Sequence, residues 1–180
     1  TDIVQFSTTF APLITVLTPS NYDDDDVARF WPALQTCIDR GDAAAFAGHV
    51  TGHRYDGGVG VQVLNAHVLD DDIVPNVSNF ALARALGLPH VPPVLRPIST
   101  LTMADAPPLT GNLGGGLTGG TFQFDWVLEG DRWETATHNN IGDSNVGAQA
   151  WMRFLQGYLQ TGSGLLVDPY ADLGITPPRP

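Results

Sequence analysis

Two short polar clusters carry the residue types of acid–base chemistry. One is Asp70-Asp71-Asp72, which closes an almost continuous apolar run, GVQVLNAHVL, over 60–69. The other is His138, in the short loop ATHNN beyond the aromatic run of residues 121–128. A carboxylate facing an imidazole holds the ring in one tautomer and stabilises its protonated form. The ring then serves first as general base and afterwards as general acid. Such a pair requires two loops from distant parts of the chain to meet.

The surrounding elements are of a kind that can bring them together. An apolar run of the 60–69 type reads as a strand buried on both faces of a parallel sheet. The alternating aromatic segment TFQFDWVLEG reads as a second strand, and RWETATHNNIGDSN as a polar loop. Between them lies a helix, NVSNFALARALGLP, with Asn76 or Ser78 as its cap, Phe80, Leu82, Ala83 and Leu86 facing inward, and Gly87 as its stop. A later helix, NVGAQAWMRFLQGYLQTG, places Ala148, Trp151, Met152, Leu155 and Leu159 on one side. Upstream, Val27, Phe30, Trp31, Leu34 and Ile38 have helical spacing behind the acidic run Asp23–Asp26, and Asp42 caps a second short helix. LITVL, bracketed by Pro12 and Pro19, is strand-like. Residues 89–120 are rich in Pro and Gly and read as loop. Helices and strands alternate, the rhythm of an α/β protein with a parallel sheet. In open sheets of that kind ligands bind beyond the carboxyl ends of the strands, the edge on which both polar clusters fall. Two strands make a poor sheet by themselves, so the pattern reads as part of a doubly wound, mostly parallel sheet.

The segment HVLDDDIVPNVSNFALARALGLP resembles the acid loop of bacterial lipases and esterases of the α/β-hydrolase fold: a strand, then Asp-x-x-Val-Pro, then a helix. Set against Val74-Pro75, that spacing selects Asp71 as the acid. ATHNN before a helix is similar to the histidine loop of the same family and gives His138 as the base. FWPALQTCIDRGDAAAFAGHV resembles the helical segment that precedes the acid strand in large secreted members. The likeness covers most of residues 27–175, and the order acid then histidine fits a fold in which the serine precedes both. It implies a C-terminal portion of a serine ester hydrolase, secreted or at the bacterial cell surface or periplasm, acting on a small or lipid ester without a cofactor or metal. It also implies three regions: a helical lid or connector over 1–58, the C-terminal part of the hydrolase core over 59–176, and a Pro-rich tail over 177–180.

The serine itself is missing. None of Ser7, Ser20, Ser78, Ser99, Ser144 and Ser163 stands in a G-x-S-x-G elbow, and GDSN at 142–145 lies too late in the chain to be a nucleophile motif. The nucleophile and oxyanion hole are therefore expected on an N-terminal chain of the same precursor, which would also complete the sheet. The first residue, Thr1, is not Met and suggests a processed end. Two other functions compete with this one. Thr1 could be the nucleophile of a self-processed amidohydrolase, although the helix–strand alternation argues against the antiparallel folds that use one. Alternatively the chain is a hydrolase-derived binding or structural module.

Composition removes further classes. The 180 residues carry 19 acids and 8 bases, all arginine, for a net charge of −11, and a nucleic acid backbone or an anionic membrane would repel such a surface. No apolar run reaches the length of a membrane span. The single cysteine, Cys37, forms no internal disulfide and reads as a small buried hydrophobe. The glycine-rich GNLGGGLTGG lacks the GK[ST] of a phosphate loop. Capping and solvation account for Asp23–Asp26 better than a Ca²⁺ site does. His49, His53 and Asp56 lack a strong metal-ligand spacing. His67 is expected to pack within its strand, and His49, His53 and His90 to lie at the surface or to be hydrogen-bonded.

Overall fold

The computed structural model describes residues 6–52 and 54–179. Its architecture is mixed α/β, with one parallel and one antiparallel two-stranded sheet. Helices α1 (Ala11–Leu17), α2 (Asp24–Ile38), α3 (Ala43–Phe46) and α4 (Gly48–Thr51) lead into β1 (Val63–Val68) and α5 (Asn76–Leu86). A long loop with one 3₁₀ turn then gives β2 (Gly119–Phe124), β3 (Trp126–Glu129) and β4 (Arg132–Thr135). Helices α6 (Asn145–Thr161) and α7 (Pro169–Asp172) follow.

β1 and β2 run parallel, with Val63 opposite Gly119 and Val68 opposite Phe124. Every residue of β2 is buried, whereas β1, the run expected to be buried on both faces, is half-buried from Val63 to Asn65, exposed at Ala66 and buried only at His67 and Val68. The far side of β2 is also bonded. Thr121 N–H donates to Pro89 C=O and Thr121 C=O accepts from Val91 N–H, so part of the Pro/Gly-rich stretch lies alongside the sheet. The outer edge of β1 is different. Val63 and Leu69 donate their N–H groups to Thr118 and Phe124 of the β2 side. By the period of two, Leu64 and Ala66 turn theirs away, toward an edge that carries no further strand among the described residues.

The main core joins Val68, Phe122 and Phe124 of the parallel pair to Val127, Val146, Ala150, Phe154, Leu166 and Tyr170. A smaller cluster packs Ala47 against Leu86 and Leu88, and Thr51 Oγ1 ties the same region by donating to Leu86 C=O at 2.6 Å. Gly87 ends α5 in the left-handed conformation at φ 64°, and Asp42 caps α3 through Ala44 N–H. Arg179 of the C-terminal tail is paired with Asp125 at 2.7 and 2.8 Å and lies over the Tyr170 ring.

Several elements differ from the sequence reading. LITVL is helical, within α1, whose first turn holds Pro12. Proline suits that position, and among the described residues the β-branched residues have no neighbouring strand to pair with. The aromatic strand is two: the chain breaks at Asp125, and β3 folds back onto β4 through Gly130 at φ 58°. RWET is therefore β4 and not loop. Neither Asn76 nor Ser78 caps α5, which Pro75 precedes without a side-chain cap. Cys37 is exposed. In α6 the buried residues are Val146, Gly147, Ala150 and Phe154, whereas Trp151, Met152, Leu155 and Leu159 are exposed. No helix among the described residues is long and apolar enough to cross a membrane.

Candidate active site

The two polar clusters meet because β1 and β2 end level with each other. The last bond of the ladder runs from Leu69 N–H to Phe124 C=O at 2.8 Å. One residue later Asp70 adopts a left-handed φ of 56° and turns the chain across the sheet end. Asn76 holds this turn twice: its Oδ1 accepts from Asp70 N–H and its Nδ2 donates to Val68 C=O. Asp71 then points inward, its side chain only 5% exposed. Its Oδ1 accepts the N–H groups of Ile73 at 2.9 Å and Val74 at 2.8 Å, which leaves Oδ2 free to face another group.

His138 reaches the same edge by a detour. The β3–β4 hairpin leaves the end of β2, but Ala136 N–H donates back to Asp125 C=O at 2.9 Å, returning the chain to its starting point. Asn140 then fixes the loop: its Oδ1 accepts from Thr137 N–H and its Nδ2 donates to Thr135 C=O. His138 Nδ1 stands 3.0 Å from Asp71 Oδ2. An ionised carboxylate only accepts, so Nδ1 carries the proton and, in the neutral ring, Nε2 presents its lone pair. With 43% of its side chain exposed, His138 remains open to a reacting group.

The pair borders a cleft of about 300 Å³ whose walls include Leu64, Val68, Phe124, Ala150 and Trp151. None of the described residues lining it is Ser, Thr or Cys. Three of the chain's own serines sit away from the cleft lining. Ser144 Oγ donates to Ile141 C=O and caps α6, Ser7 Oγ bonds the Asp72 carbonyl, and Ser78 Oγ is buried without a partner. Thr1 lies outside the described residues.

Around the pair, His67 packs within its strand and His90 is hydrogen-bonded, as expected, while Gln123 and Arg96 were not singled out. His67 is buried under Asp71, and burial, with His90 adding to it and Asp71 opposing, lowers its pKa to about 4, so it is a neutral ring near pH 7. Burial likewise lowers His90, whose Nε2 accepts from Ile98 N–H at 2.9 Å. Gln123, buried between Phe122 and Phe124, binds the backbone of residues 95 and 96. A glutamine inside an aromatic strand was the available signal, since a buried amide must find partners. Arg96, paired with Asp70, had no comparable signature.

Among the described residues no group of three His, Cys, Asp or Glu is placed to hold a metal ion. Asp23 and Asp26 bond each other's backbone in a capping box at the start of α2. His49 stacks on Tyr55 at 4.3 Å, and His53 lies outside the described residues. Comparison of the chain with protein-family models, curated proteins and solved structures gives no match.

Proposed function

We propose that this chain is the acid- and histidine-bearing part of a serine ester hydrolase. Its nucleophile and oxyanion hole would be carried by a separate N-terminal chain of the same precursor. The observation that carries the reading is the 3.0 Å pairing of His138 Nδ1 with the buried Asp71 carboxylate, which leaves Nε2 free beside an apolar cleft. In this reading Nε2 takes the proton of the incoming serine hydroxyl as its oxygen attacks the ester carbonyl, and returns it to the departing alcohol. Water then repeats the sequence on the acyl-enzyme and releases the acid. The Asp71 carboxylate stabilises the imidazolium. The apolar walls suit a neutral substrate, a small or lipid ester.

The unpaired edge of β1 at Leu64 and Ala66 supports the two-chain arrangement. A strand of the N-terminal chain would extend the parallel pair there, as in a doubly wound sheet, and would cover the exposed Trp151, Met152 and Leu155 of α6. The resemblance of the acid loop to that of secreted lipases and esterases supports an assembly outside the cytoplasm.

The test is treatment of the native protein with an alkyl fluorophosphonate, followed by mass measurement under denaturing conditions. We expect a covalently labelled companion chain, no label on this chain, and loss of labelling in His138→Ala. A single 19.2 kDa species with no companion would overturn the two-chain arrangement. A companion that takes no label would favour a non-catalytic binding module.

A further inference from the structure

We infer that Arg96 is a positioning residue for the Asp71–His138 pair, acting through Asp70. The inference rests on the reading that this pair is the working acid and base, and it extends that reading to a residue outside the cleft. Asp70 has a left-handed backbone at φ 56° although it is not glycine, a conformation that needs support from its surroundings. Its carboxylate is held from outside by the Arg96 guanidinium, Nη1 to Oδ1 at 2.8 Å and Nη2 to Oδ2 at 3.0 Å. Nη1 also donates to Asn76 Oδ1 at 3.3 Å, the atom that accepts the Asp70 N–H. One side chain therefore touches both groups that shape the turn immediately before Asp71.

Arg96 is itself anchored. The buried Gln123 of β2 accepts the N–H groups of Leu95 and Arg96 through Oε1, at 3.0 and 2.8 Å, and donates through Nε2 to the Arg96 carbonyl at 2.7 Å. β2 is the strand that leads to His138. The series Gln123, Arg96, Asp70 thus braces the acid turn at the end of β1 against β2, beside whose end the histidine loop returns through the Ala136 N–H to Asp125 C=O bond. The fork matters as much as the charge: two parallel N–H donors fix the plane of the Asp70 carboxylate, which a lysine ammonium cannot do. Arg96 also neutralises one of three consecutive aspartates. With 44% and 76% of their side chains exposed, Arg96 and Asp70 form a pair that adds little to overall stability, so its loss should leave the fold intact.

The test reads the tautomer of His138, from the ring nitrogen resonances of the ¹⁵N-labelled protein as isolated, at a pH where the imidazole is neutral. In the wild type we expect the Nδ1–H form. In Arg96→Met the acid turn loosens and the Nδ1–H population falls by roughly half or more, toward the mixture of an unrestrained ring. Arg96→Lys restores part of it. Arg84→Met removes a different surface arginine, one that donates to Ser99 Oγ, and leaves the tautomer unchanged. An Arg96→Met spectrum identical to wild type, while Asp71→Asn loses the Nδ1–H form, would overturn the role of Arg96 and leave the pair standing. A wild-type ring without Nδ1–H preference would overturn the pair, and the role of Arg96 with it.

Discussion

Replacing Gly147 by alanine tests how closely the histidine loop is built onto α6. Gly147 is buried in the first turn of that helix. A Cβ added there would stand 2.1 Å from the Ile141 carbonyl oxygen and 3.1 Å from Ser144 Oγ. Ordinary contact begins at 3.4 Å, so the backbone of the loop must retreat by about 1.3 Å. In an unobstructed helix the same change stabilises by about 1 kcal/mol. Here overpacking against backbone costs about 1–3 kcal/mol, because no rotamer relieves it. Displacing Ile141 also strains the Ser144 cap, whose hydroxyl donates to Ile141 C=O and accepts from Gly147 N–H, a loss of about 1 kcal/mol. The net effect is a destabilisation of about 2 kcal/mol. With a urea slope of about 1–3 kcal/mol per molar, the unfolding midpoint falls by about 1 M, read from tryptophan fluorescence. Because His138 lies three residues before Ile141, its contact with Asp71 lengthens and the Nδ1–H form is depleted. A Gly147→Ala protein as stable as the wild type, with the His138 ring unchanged, would refute this account of the loop.

Two further perturbations have defined signs. The folded-state pKa of His67 is lowered to about 4 from an ordinary value of 6.5, so between those values the unfolded chain binds a proton that the native state refuses. His67 therefore costs nothing above pH 6.5 and removes up to about 3 kcal/mol as the pH falls to 4; urea titrations of wild type and His67→Gln should diverge over that window, the wild type losing more. Arg179→Ala removes the fork to Asp125 and the stack 4.9 Å over the Tyr170 ring. Both charged side chains are about three-quarters buried, so the loss is about 2 kcal/mol, or about 6 °C in Tm by calorimetry.

The parts of the fold that show in the sequence are those with a single solution. The run behind Asp70 is mostly apolar, and its Asn65 and His67 meet polar side chains of β2, so it becomes a strand, and Gly87 before Pro89 has no helical continuation. Two other places follow from chemistry that a pattern does not display. LITVL satisfies strand propensity, but that propensity measures packing on a pleated surface, and among the described residues no neighbouring strand provides one for residues 13–17. In RWET the period-two signal was present; the Gly130–Asp131 turn ahead of it marks a hairpin, and the polar outer residues concealed Trp133, which faces Tyr170. At the site, Asp71 and His138 are readable because each terminates or follows a recognisable element. Arg96 is not, because its partners lie 20 and 26 residues away and the loop between has no period to follow.

The helix after the histidine loop raises a different point. Periodicity selects an apolar stripe on α6, but the helix has two. Trp151, Met152, Leu155 and Leu159 form the larger, and it is exposed. Val146, Gly147, Ala150 and Phe154 lie on the other, and it faces the core. A Cβ at Gly147 would meet the Ile141 carbonyl oxygen, so the helix approaches the loop closely on this side, while Val146 and Phe154 fill the core beside it. The exposed side then remains for a second body. A large apolar row costs little when covered and invites association when bare, and it stands beside the cleft, whose lining includes Trp151. In the proposed assembly one companion chain would cover this row, pair with Leu64 and Ala66, and bring the hydroxyl to His138. Substituting Leu155 and Leu159 by glutamate should therefore leave the stability of this chain within about 0.5 kcal/mol while reducing recovery of the companion in co-purification. Undiminished recovery would place the companion on another face.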